Sequence, residues 1–400
     1  MHYYTKVPNW LAIPRSRLSR THILVALGVI LFGILLTVNY IWGPALRFLW
    51  RTRVMSTYEP GCVPTILPIV PTQSPAGPIP NIAHYVWLLD GREHFSVDFK
   101  VFISVYSTSL YFNPDTIYVH TDATPEQWEY AKNHGNDATR WTLAIANVKH
   151  SQVTAPTHTL SCTQIIKIQH KSDFVRTEQM HKHGGIYLDT DVIPLKDVKL
   201  FRESGWNNVF GIEDRGRVNN GFVLSQPGSA LQSIYMSEQH QVFNNRWTTH
   251  SVDLLSALAY RLQPVPMEVL ILGIKIFSPS SWRKEDIEGL FNPHTKTPPA
   301  PPEQDQSLTK EGLRKTPITF QDAVEYWDES KDSNKPEWEI DYSGSYVIHA
   351  FDGRANFWPD HVDVEYVMAR QSNYARAVYP AVKHAIDNGK IEWKPAEKGR

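Results

Sequence analysis

The stretch SDFVRTEQMHKHGGIYLDTDVIP, residues 172–194, joins a polar helical segment to a short apolar strand that ends in two aspartates. Helices commonly end on glycine, so the glycine pair at residues 184–185 is expected to end the helix. The apolar residues 186–188 then form a short buried strand that runs directly into Asp189 and Asp191. The stretch therefore predicts an α/β unit whose strand ends at a carboxylate pair.

Asp189 and Asp191 are candidate ligands for a divalent cation. Their i, i+2 spacing puts both side chains on one side of a continuing strand, and a turn here lets them converge on one ion. Mg²⁺ and Mn²⁺ are typically held by one or two carboxylates together with substrate phosphates and water. Ligands of open α/β sheets also bind at the carboxyl ends of strands. A lone DxD pair is more commonly a turn or a solvated acidic pair.

Asp173 and Arg176 strengthen this hypothesis, because they share one helix face a single turn apart. An aspartate can accept hydrogen bonds from sugar or ribose hydroxyls, and the arginine fork can hold a phosphate or orient a carboxylate. The alternative is an exposed helix salt bridge of little energetic value. Since the glycine pair leads this helix into the aspartate strand, both side chains are expected near the metal site.

The globular region alternates short apolar strands with helical segments. Strands are expected at residues 82–87, 116–120, 142–148, 186–188, 208–212, 221–225 and 345–349. Helices are expected at residues 96–110, 125–134, 163–183, 229–262 and 361–388, with an irregular surface loop at 279–317. This alternation predicts an α/β fold with a largely parallel sheet flanked by helices.

The N-terminal part has a different character. Residues 23–42 form a run of 20 residues without a formal charge, long enough for one helix to cross a bilayer core of about 30 Å. We expect a cytosolic tail at 1–22, a membrane anchor at 23–42, a proline-rich stem at 43–80 and one globular domain at 81–400. A cleaved signal peptide and a soluble core helix are the alternatives. Basic residues flank the run on both sides, so the positive-inside bias is weak.

Composition narrows the class of protein. Apolar residues make up 42% and charged residues 20% of the chain, as in ordinary globular proteins. The formal net charge is −1, and nothing in it favours a nucleic-acid partner. Cys62 and Cys162 form no CxxC pair, so no thiolate zinc site is expected. One disulfide is possible in an oxidising compartment, but we expect two unpaired structural thiols.

Three motifs occur in order: IPNIAHYVW at residues 79–87, SDFVRTEQM at 172–180 and GGIYLDTDV at 184–192. In this order and spacing they resemble family 32 of the glycosyltransferases, which have a DXD sugar-binding region and include fungal Golgi mannosyltransferases. NNGF at 219–222 and IHAFDGRANFW at 348–358 are also similar to family features.

One region departs from the family pattern. TTHSVD at residues 248–253 stands where a Thr-Gly-Pro segment would be expected, and residues 226–344 match no feature of the family. The acceptor side of the enzyme is therefore not defined by the resemblance.

The resemblance implies a GT-A type, Rossmann-like mixed sheet and retaining transfer of a hexose from a nucleotide sugar. Asp189, Asp191 and His349 would bind the metal, with Mn²⁺ favoured over Mg²⁺, and His349 has a structural role as its alternative. The donor would contact a larger set of side chains: Trp87, Asp173, Arg176, Tyr187, Asp189 and His349. Asp191 and Asn220 would lie at the reacting centre, and Glu213 and Asp214 are weaker candidates. For Trp87, expected to stack on the nucleotide base, the alternative is a buried core residue.

The resemblance further implies a single-pass type II protein of the Golgi membrane with a lumenal catalytic domain. GDP-mannose is the favoured donor, a UDP-hexose is the alternative, and the acceptor is a glycan or glycolipid. Competing interpretations are a UDP-sugar-dependent galactosyl- or N-acetylhexosaminyltransferase and a non-catalytic membrane-anchored sugar-binding protein. A haloacid-dehalogenase-like phosphatase is more remote, because its nucleophilic aspartate belongs on the first strand of the domain.

Overall fold

The computed structural model describes residues 20–37, 77–297, 337–351 and 362–393. The chain divides into two compact units, Met1–Thr57 and Tyr58–Arg400. The first unit contains helix α1, Arg20–Thr37. Among the described residues, no helix combines the length and the apolar character needed to cross a bilayer. Residues 38–42 of the expected anchor and 43–76 of the expected stem lie outside the described ranges.

The second unit alternates strands and helices. Its strands within the described residues are β1 (Ile82–Val86), β2 (Thr116–Thr121), β3 (Val148–Gln152), β4 (Gly185–Leu188), β5 (Val192–Pro194), β6 (Asn208–Ile212), β7 (Val218–Ser225), β8 (Val269–Leu272) and β9 (Val347–His349). Its helices there are α2 (Phe99–Ser107), α3 (Pro125–His134), α4 (Asp137–Leu143), α5 (Ile168–His183), α6 (Lys199–Arg202), α7 (Ala230–Val242), α8 (Leu254–Leu262), α9 (Ile274–Phe277), α10 (Lys284–Phe291), α11 (Val364–Ala369) and α12 (Asn373–Asp387).

Seven of these strands form one mixed sheet in the order β3-β2-β1-β4-β7-β6-β8. The four strands β3, β2, β1 and β4 are mutually parallel. Strand β7 is antiparallel to both of its neighbours, β4 and β6. Strands β5 and β9 form a separate antiparallel pair. The mixed α/β fold with a parallel-rich sheet, expected from the sequence, is confirmed.

The register between β1 and β4 places the predicted site at one edge of the sheet. Ala83 pairs with Ile186 in parallel register. Trp87, just beyond β1, and Asp189, just beyond β4, therefore leave the sheet at the same edge. Ile186 is fully buried, as expected for a parallel strand with both faces covered. This edge is the carboxyl end of the strands, where ligands of α/β sheets bind.

Backbone geometry requires the glycine pair between α5 and β4. Gly184 and Gly185 have φ angles of 60° and 100°, values that glycine adopts far more readily than other residues. A Cβ atom on Gly185 would lie 2.4 Å from the carbonyl oxygen of Ile82. Helix α5 therefore ends where the sequence predicts, and the turn lets β4 lie directly against β1.

A directional chain of hydrogen bonds supports this turn across three strands. His84 Nε2 donates to the carbonyl oxygen of Gly184 at 2.8 Å, so its Nδ1 accepts from His120 Nε2 at 2.9 Å. His120 Nδ1 then accepts from the Ser151 hydroxyl at 2.8 Å. Burial lowers the pKa of His84 to about 3 and that of His120 to about 2. Both rings are therefore neutral at pH 7, which fixes the direction of the chain.

One predicted strand is wrong. The sequence predicts a strand at residues 142–148, but α4 extends to Leu143 and β3 begins only at Val148. The reason is a helix start signal: the side chain of Asn136 accepts the backbone N–H of Thr139 at 2.8 Å. Such a cap stabilises the first turn of a helix, and here it outweighs the apolar run.

Three other predicted segments differ in detail. The predicted helix at 229–262 is interrupted between α7 and α8 by residues 243–253. The predicted loop at 279–317 contains α10, and residues 298–317 lie outside the described part of the chain. The predicted helix at 361–388 is divided into α11 and α12 at Arg370, whose φ is 54°.

Cys162 corrects the expectation of unpaired thiols, because it is disulfide-bonded. The only other cysteine of the chain is Cys62, which lies outside the described residues. Cys162 is exposed at a turn with a φ of 62°. An exposed thiol is accessible to a partner in a way that a buried structural thiol is not.

Candidate metal and donor site

Two acidic side chains and one histidine converge beyond the carboxyl end of β4. Asp189 and Asp191 follow that strand, and β9 brings His349 beside them through the pairing of Val192 with His349. One ligand atom from each of Asp189, Asp191 and His349 lies within 4.8 Å of the others. His349 Nε2 is 3.5 Å from Asp191 Oδ1. We call these three residues the metal triad.

The space between the triad residues depends on a missing side chain. A Cβ atom on Gly221 of β7 would lie 2.6 Å from His349 Cε1 and 2.8 Å from Asp189 Oδ2. Only glycine leaves this gap open between the two ligands. Two carboxylates and an imidazole form a donor set suited to a divalent cation, so the residues present fit the expected metal.

Local charges also favour a cation. Burial raises the pKa of Asp189, the Arg176 guanidinium opposes that rise, and the Asp191 carboxylate adds to it. For His349, burial acts to lower the pKa, but the neighbouring Asp191 carboxylate raises it above its ordinary value. Two carboxylates placed this close together repel each other. A bound cation would relieve that repulsion.

Asn219 positions His349, and the sequence alone did not identify it. The Asn219 side-chain oxygen accepts the backbone N–H of Gly221 at 2.6 Å, which turns the amide nitrogen toward His349. That nitrogen lies 2.9 Å from His349 Nδ1 and donates to the Ser278 hydroxyl at 2.8 Å. Within the NNGF motif the sequence pointed to Asn220 as the candidate. Because side chains alternate along a strand, residues 219 and 221 face the triad and residue 220 faces the other side.

Asp173 and Arg176 are not an exposed salt bridge. Their side chains are ion-paired and only 14% and 6% exposed. Arg176 Nη1 also donates to Asp189 Oδ1 at 3.2 Å, and the guanidinium lies 4.8 Å from the centre of the Tyr187 ring. The Tyr187 hydroxyl donates to the same Asp189 oxygen at 2.6 Å. The structure thus brings these four predicted residues together.

Two further side chains that the sequence did not single out complete this polar group. His250 Nε2 lies 3.0 Å from Asp173 Oδ2, and the Ser251 hydroxyl donates to Asp173 Oδ1 at 3.4 Å. Asn220 Nδ2 donates to Ser251 Oγ at 2.7 Å. Asn220 therefore lies with Asp173 rather than with the metal triad. We call Asp173, Arg176, Asn220, His250 and Ser251 the sugar-side cluster.

The sugar-side cluster keeps its carboxylate charged. Burial acts to raise the pKa of Asp173, but Arg176 and His250 outweigh it, and the pKa lies below its ordinary value. An ionised carboxylate is an acceptor only, which suits the hydroxyl groups of a sugar.

The remaining predicted residues lie at the margin of the site. Trp87 is half-buried, its indole N–H donates to the carbonyl oxygen of Ser96 at 2.9 Å, and the Arg92 guanidinium lies 5.3 Å from the ring centre. Glu213 is buried and paired with Arg217 at 3.0 Å.

Asp214 is the least involved of the predicted residues. It binds Arg283 at 2.8 Å, and the described contacts of its side chain do not reach the metal triad.

Comparison with solved structures gives remote likenesses to sugar transferases. The galactosyltransferase LgtC, in complex with donor and acceptor sugar analogs, has 12% identity and a TM-score of 0.37, covering 78% of this chain and 100% of that one. The glycosyltransferase GlyE of Streptococcus pneumoniae TIGR4 has 8% identity and a TM-score of 0.35, covering 79% of this chain and 66% of that one.

Comparison of sequences gives two matches to glycan-related proteins. Residues 101–214 match the family model of the glycosyltransferase sugar-binding region containing the DXD motif. The chain is also similar to glucan organizing enzyme 1 of Cryptococcus neoformans var. grubii, with 24% identity over 224 residues. That match covers 52% of this chain and 57% of the relative, so the chain spans little more than half of the relative's length.

The carboxylate pair at the edge of the mixed sheet lies within the residues that match the glycosyltransferase sugar-binding region containing the DXD motif. With its three ordered motifs the chain is similar to family-32 glycosyltransferases.

Proposed function

We propose that this protein is a GT-A type, metal-dependent, retaining glycosyltransferase that moves a hexose, with mannose favoured, from a nucleotide sugar to a glycan or glycolipid. One observation carries the proposal: Arg176 contacts Asp173 and Asp189 together. The sugar-side cluster and the metal triad are therefore joined in one continuous polar network. A nucleotide sugar presents the matching groups in one molecule, a diphosphate beside a ring bearing hydroxyls.

The roles follow from the chemistry of the residues. Asp189, Asp191 and His349 would hold the metal, which when bound supplies positive charge that stabilises the departing diphosphate. Asp173 would accept hydrogen bonds from donor hydroxyls, and Arg176 would keep the Asp189 carboxylate oriented.

Other residues act by position. Asn220 would lie near the reacting sugar face, and the ring of Trp87 would meet the nucleotide base, since its N–H is already bonded to Ser96. No general base is assigned, because positioning and charge stabilisation supply most of the catalysis in this mechanism.

The choice of metal follows from the donor set. An imidazole nitrogen beside two carboxylates favours Mn²⁺ over Mg²⁺, because Mg²⁺ prefers oxygen ligands in a near-ideal octahedron and gives up its water reluctantly. GDP-mannose is the proposed donor, and UDP-galactose and UDP-glucose are the comparisons that test it.

Location is part of the proposal. Residues 23–42 would anchor the chain in the Golgi membrane with residues 81–400 in the lumen. The run of 20 residues without a formal charge supports an anchor. The disulfide-bonded Cys162 is in keeping with an oxidising compartment. Carbonate extraction and protease protection of the full chain in sealed microsomes would test both statements.

The test of the function is donor hydrolysis by the full chain with Mn²⁺ and each of the three nucleotide sugars. Asp189→Asn and Asp191→Asn keep side-chain size and remove the charge, so sugar release should fall by about 100-fold or more. Asp137→Asn, an exposed aspartate on α4 paired with Arg140, is the matched control and should keep wild-type activity. Unchanged sugar release in both site variants would disprove the metal-site assignment.

A further inference from the structure

The connection between α7 and α8, residues 243–253, covers the sugar-side cluster and presents one aromatic side chain to solvent. His250 and Ser251 of this segment contact Asp173. Phe243 and His250 are buried, whereas Trp247 is 52% exposed. The segment includes residues 248–253, where the sequence departs from the family pattern. This segment therefore separates the sugar-side cluster from solvent.

Trp247 has a polar margin formed by the start of α5. The Lys167 ammonium lies 5.3 Å from the centre of the Trp247 ring, and the His170 ring lies 5.8 Å from it. Helix α5 begins after Lys167 with no side-chain cap and no acidic residue in its first turn. One ammonium and one imidazole from the start of α5 therefore lie beside the exposed indole.

His170 is buried and without a hydrogen-bond partner among the described residues. It is only 1% exposed, and neither ring nitrogen has a partner there. His250, whose ring centre is 4.7 Å away, also has an unpartnered Nδ1 within the described part of the chain. Buried polar atoms are nearly always hydrogen-bonded, so these nitrogens mark an incomplete polar environment directly beneath Trp247.

A continuous line of contacts joins the exposed aromatic to the donor site. Trp247 contacts His170, His170 contacts His250, and His250 is bonded to Asp173. We propose that Trp247, Lys167 and His170 form an acceptor subsite that binds a hexose unit of a glycan chain. The sugar ring stacks on the exposed indole face, its hydroxyls bond to the Lys167 ammonium, and the His170 ring supports the indole from the buried side.

A neutral sugar fits this surface better than an anion does. Burial, followed by the charge of His250, lowers the pKa of His170 to about 4, so the ring is neutral at pH 7 and adds no second positive charge. Lys167 is then the single cation of the subsite. An apolar ring face with a few placed polar groups is typical of small-ligand sites.

The inference rests on the proposed function, and its test separates the two. The full chain with Mn²⁺ and GDP is titrated with methyl α-mannoside, methyl β-galactoside and methyl α-glucoside, and binding is followed by saturation-transfer NMR. At least one glycoside should bind, with affinity reduced at least 10-fold in Trp247→Ala and two- to fivefold in Lys167→Ala. Trp247→Phe, which keeps an aromatic face, should restore most of the binding. Tyr130→Ala removes an aromatic side chain that is 49% exposed on α3 and should change nothing.

Donor hydrolysis is measured on the same variants. Hydrolysis should fall far less than glycoside binding does in Trp247→Ala, since Trp247 makes no described contact with Asp173 or the metal triad. Binding that survives in Trp247→Ala, or a wild type that hydrolyses donor but binds none of the glycosides, would overturn the acceptor subsite. Trp247-dependent glycoside binding by a chain that hydrolyses no donor would support the subsite and refute the proposed function.

Discussion

Replacing Gly221 by alanine would add one methyl group at the centre of the metal triad. Gly221 is absent from the residues with positive φ, so alanine brings no backbone strain. Its Cβ would lie 2.6 Å from His349 Cε1 and 2.8 Å from Asp189 Oδ2. Non-bonded atoms of this kind rest about 3.5 Å apart. The His349 contact must therefore lengthen by roughly 0.9 Å and the Asp189 contact by roughly 0.7 Å.

That displacement is larger than a metal site tolerates. Ligand distances in such sites are held within about 0.2 Å, so we expect divalent-cation affinity to fall by about 100-fold or more, as when the surroundings of metal ligands are disturbed. Overpacking should cost the metal-free protein about 1–3 kcal/mol. The variant should fold, and it should lose metal binding out of proportion to its loss of stability.

Thermal unfolding of the full chain, with and without Mn²⁺ plus GDP, separates these effects. Ligand at 1,000 times its Kd stabilises the folded state by about 4 kcal/mol, and Gly221→Ala should lose most of that increment. Gly273→Ala is the matched control, because Gly273 has a φ of −63° and open space around its Cβ position. Full Mn²⁺-dependent stabilisation of Gly221→Ala would show that the gap beside Gly221 is not where the cation binds.

Three further outcomes are expected. Asn219→Ala should lower metal affinity 10- to 100-fold by freeing the triad histidine, measured by calorimetric titration, and an unchanged Kd would refute the positioning role. Burial holds the pKa of His84 near 3 and that of His120 near 2, while an unfolded histidine titrates near 6.5. Below pH 6.5 the unfolded chain therefore binds more protons than the folded chain does. As the pH is lowered, the free energy of unfolding should fall by up to about 1.4 kcal/mol per pH unit for each ring. The free energy of unfolding, measured by urea titration between pH 7 and 5, should depend less steeply on pH in His120→Gln than in the wild type. An identical pH dependence would contradict the neutral hydrogen-bond chain. Because Cys162 is disulfide-bonded, the denatured chain should take up iodoacetamide only after reduction, and labelling before reduction would contradict the pairing.

Local sequence signals predicted the segment from α5 to β4 well. The glycine pair at 184–185, the apolar strand before Asp189 and the one-turn spacing of Asp173 and Arg176 each depend on neighbouring residues. Such short-range patterns are visible in a sequence because backbone geometry dictates them. The alternation of strands and helices gave the mixed sheet for the same reason.

Long-range contacts were harder to predict. Asn219 and His250 reach the site through tertiary packing, and neither has a local pattern that distinguishes it from an ordinary strand or loop residue. Strand alternation in NNGF is a signal that could have separated Asn219 from Asn220. The strand predicted at 142–148 failed because a capping side chain at Asn136 outweighed an apolar run.

The pairing of β9 with β5 has a consequence for how the enzyme is made. His349 lies 130 residues beyond Asn219, and it reaches the carboxylate pair only when the C-terminal strand docks against β5. During synthesis the two aspartates leave the ribosome long before their histidine partner does. A chain released early would carry the DXD motif and still lack a third ligand. The three ligands therefore come together only after the chain has been made and folded as far as β9.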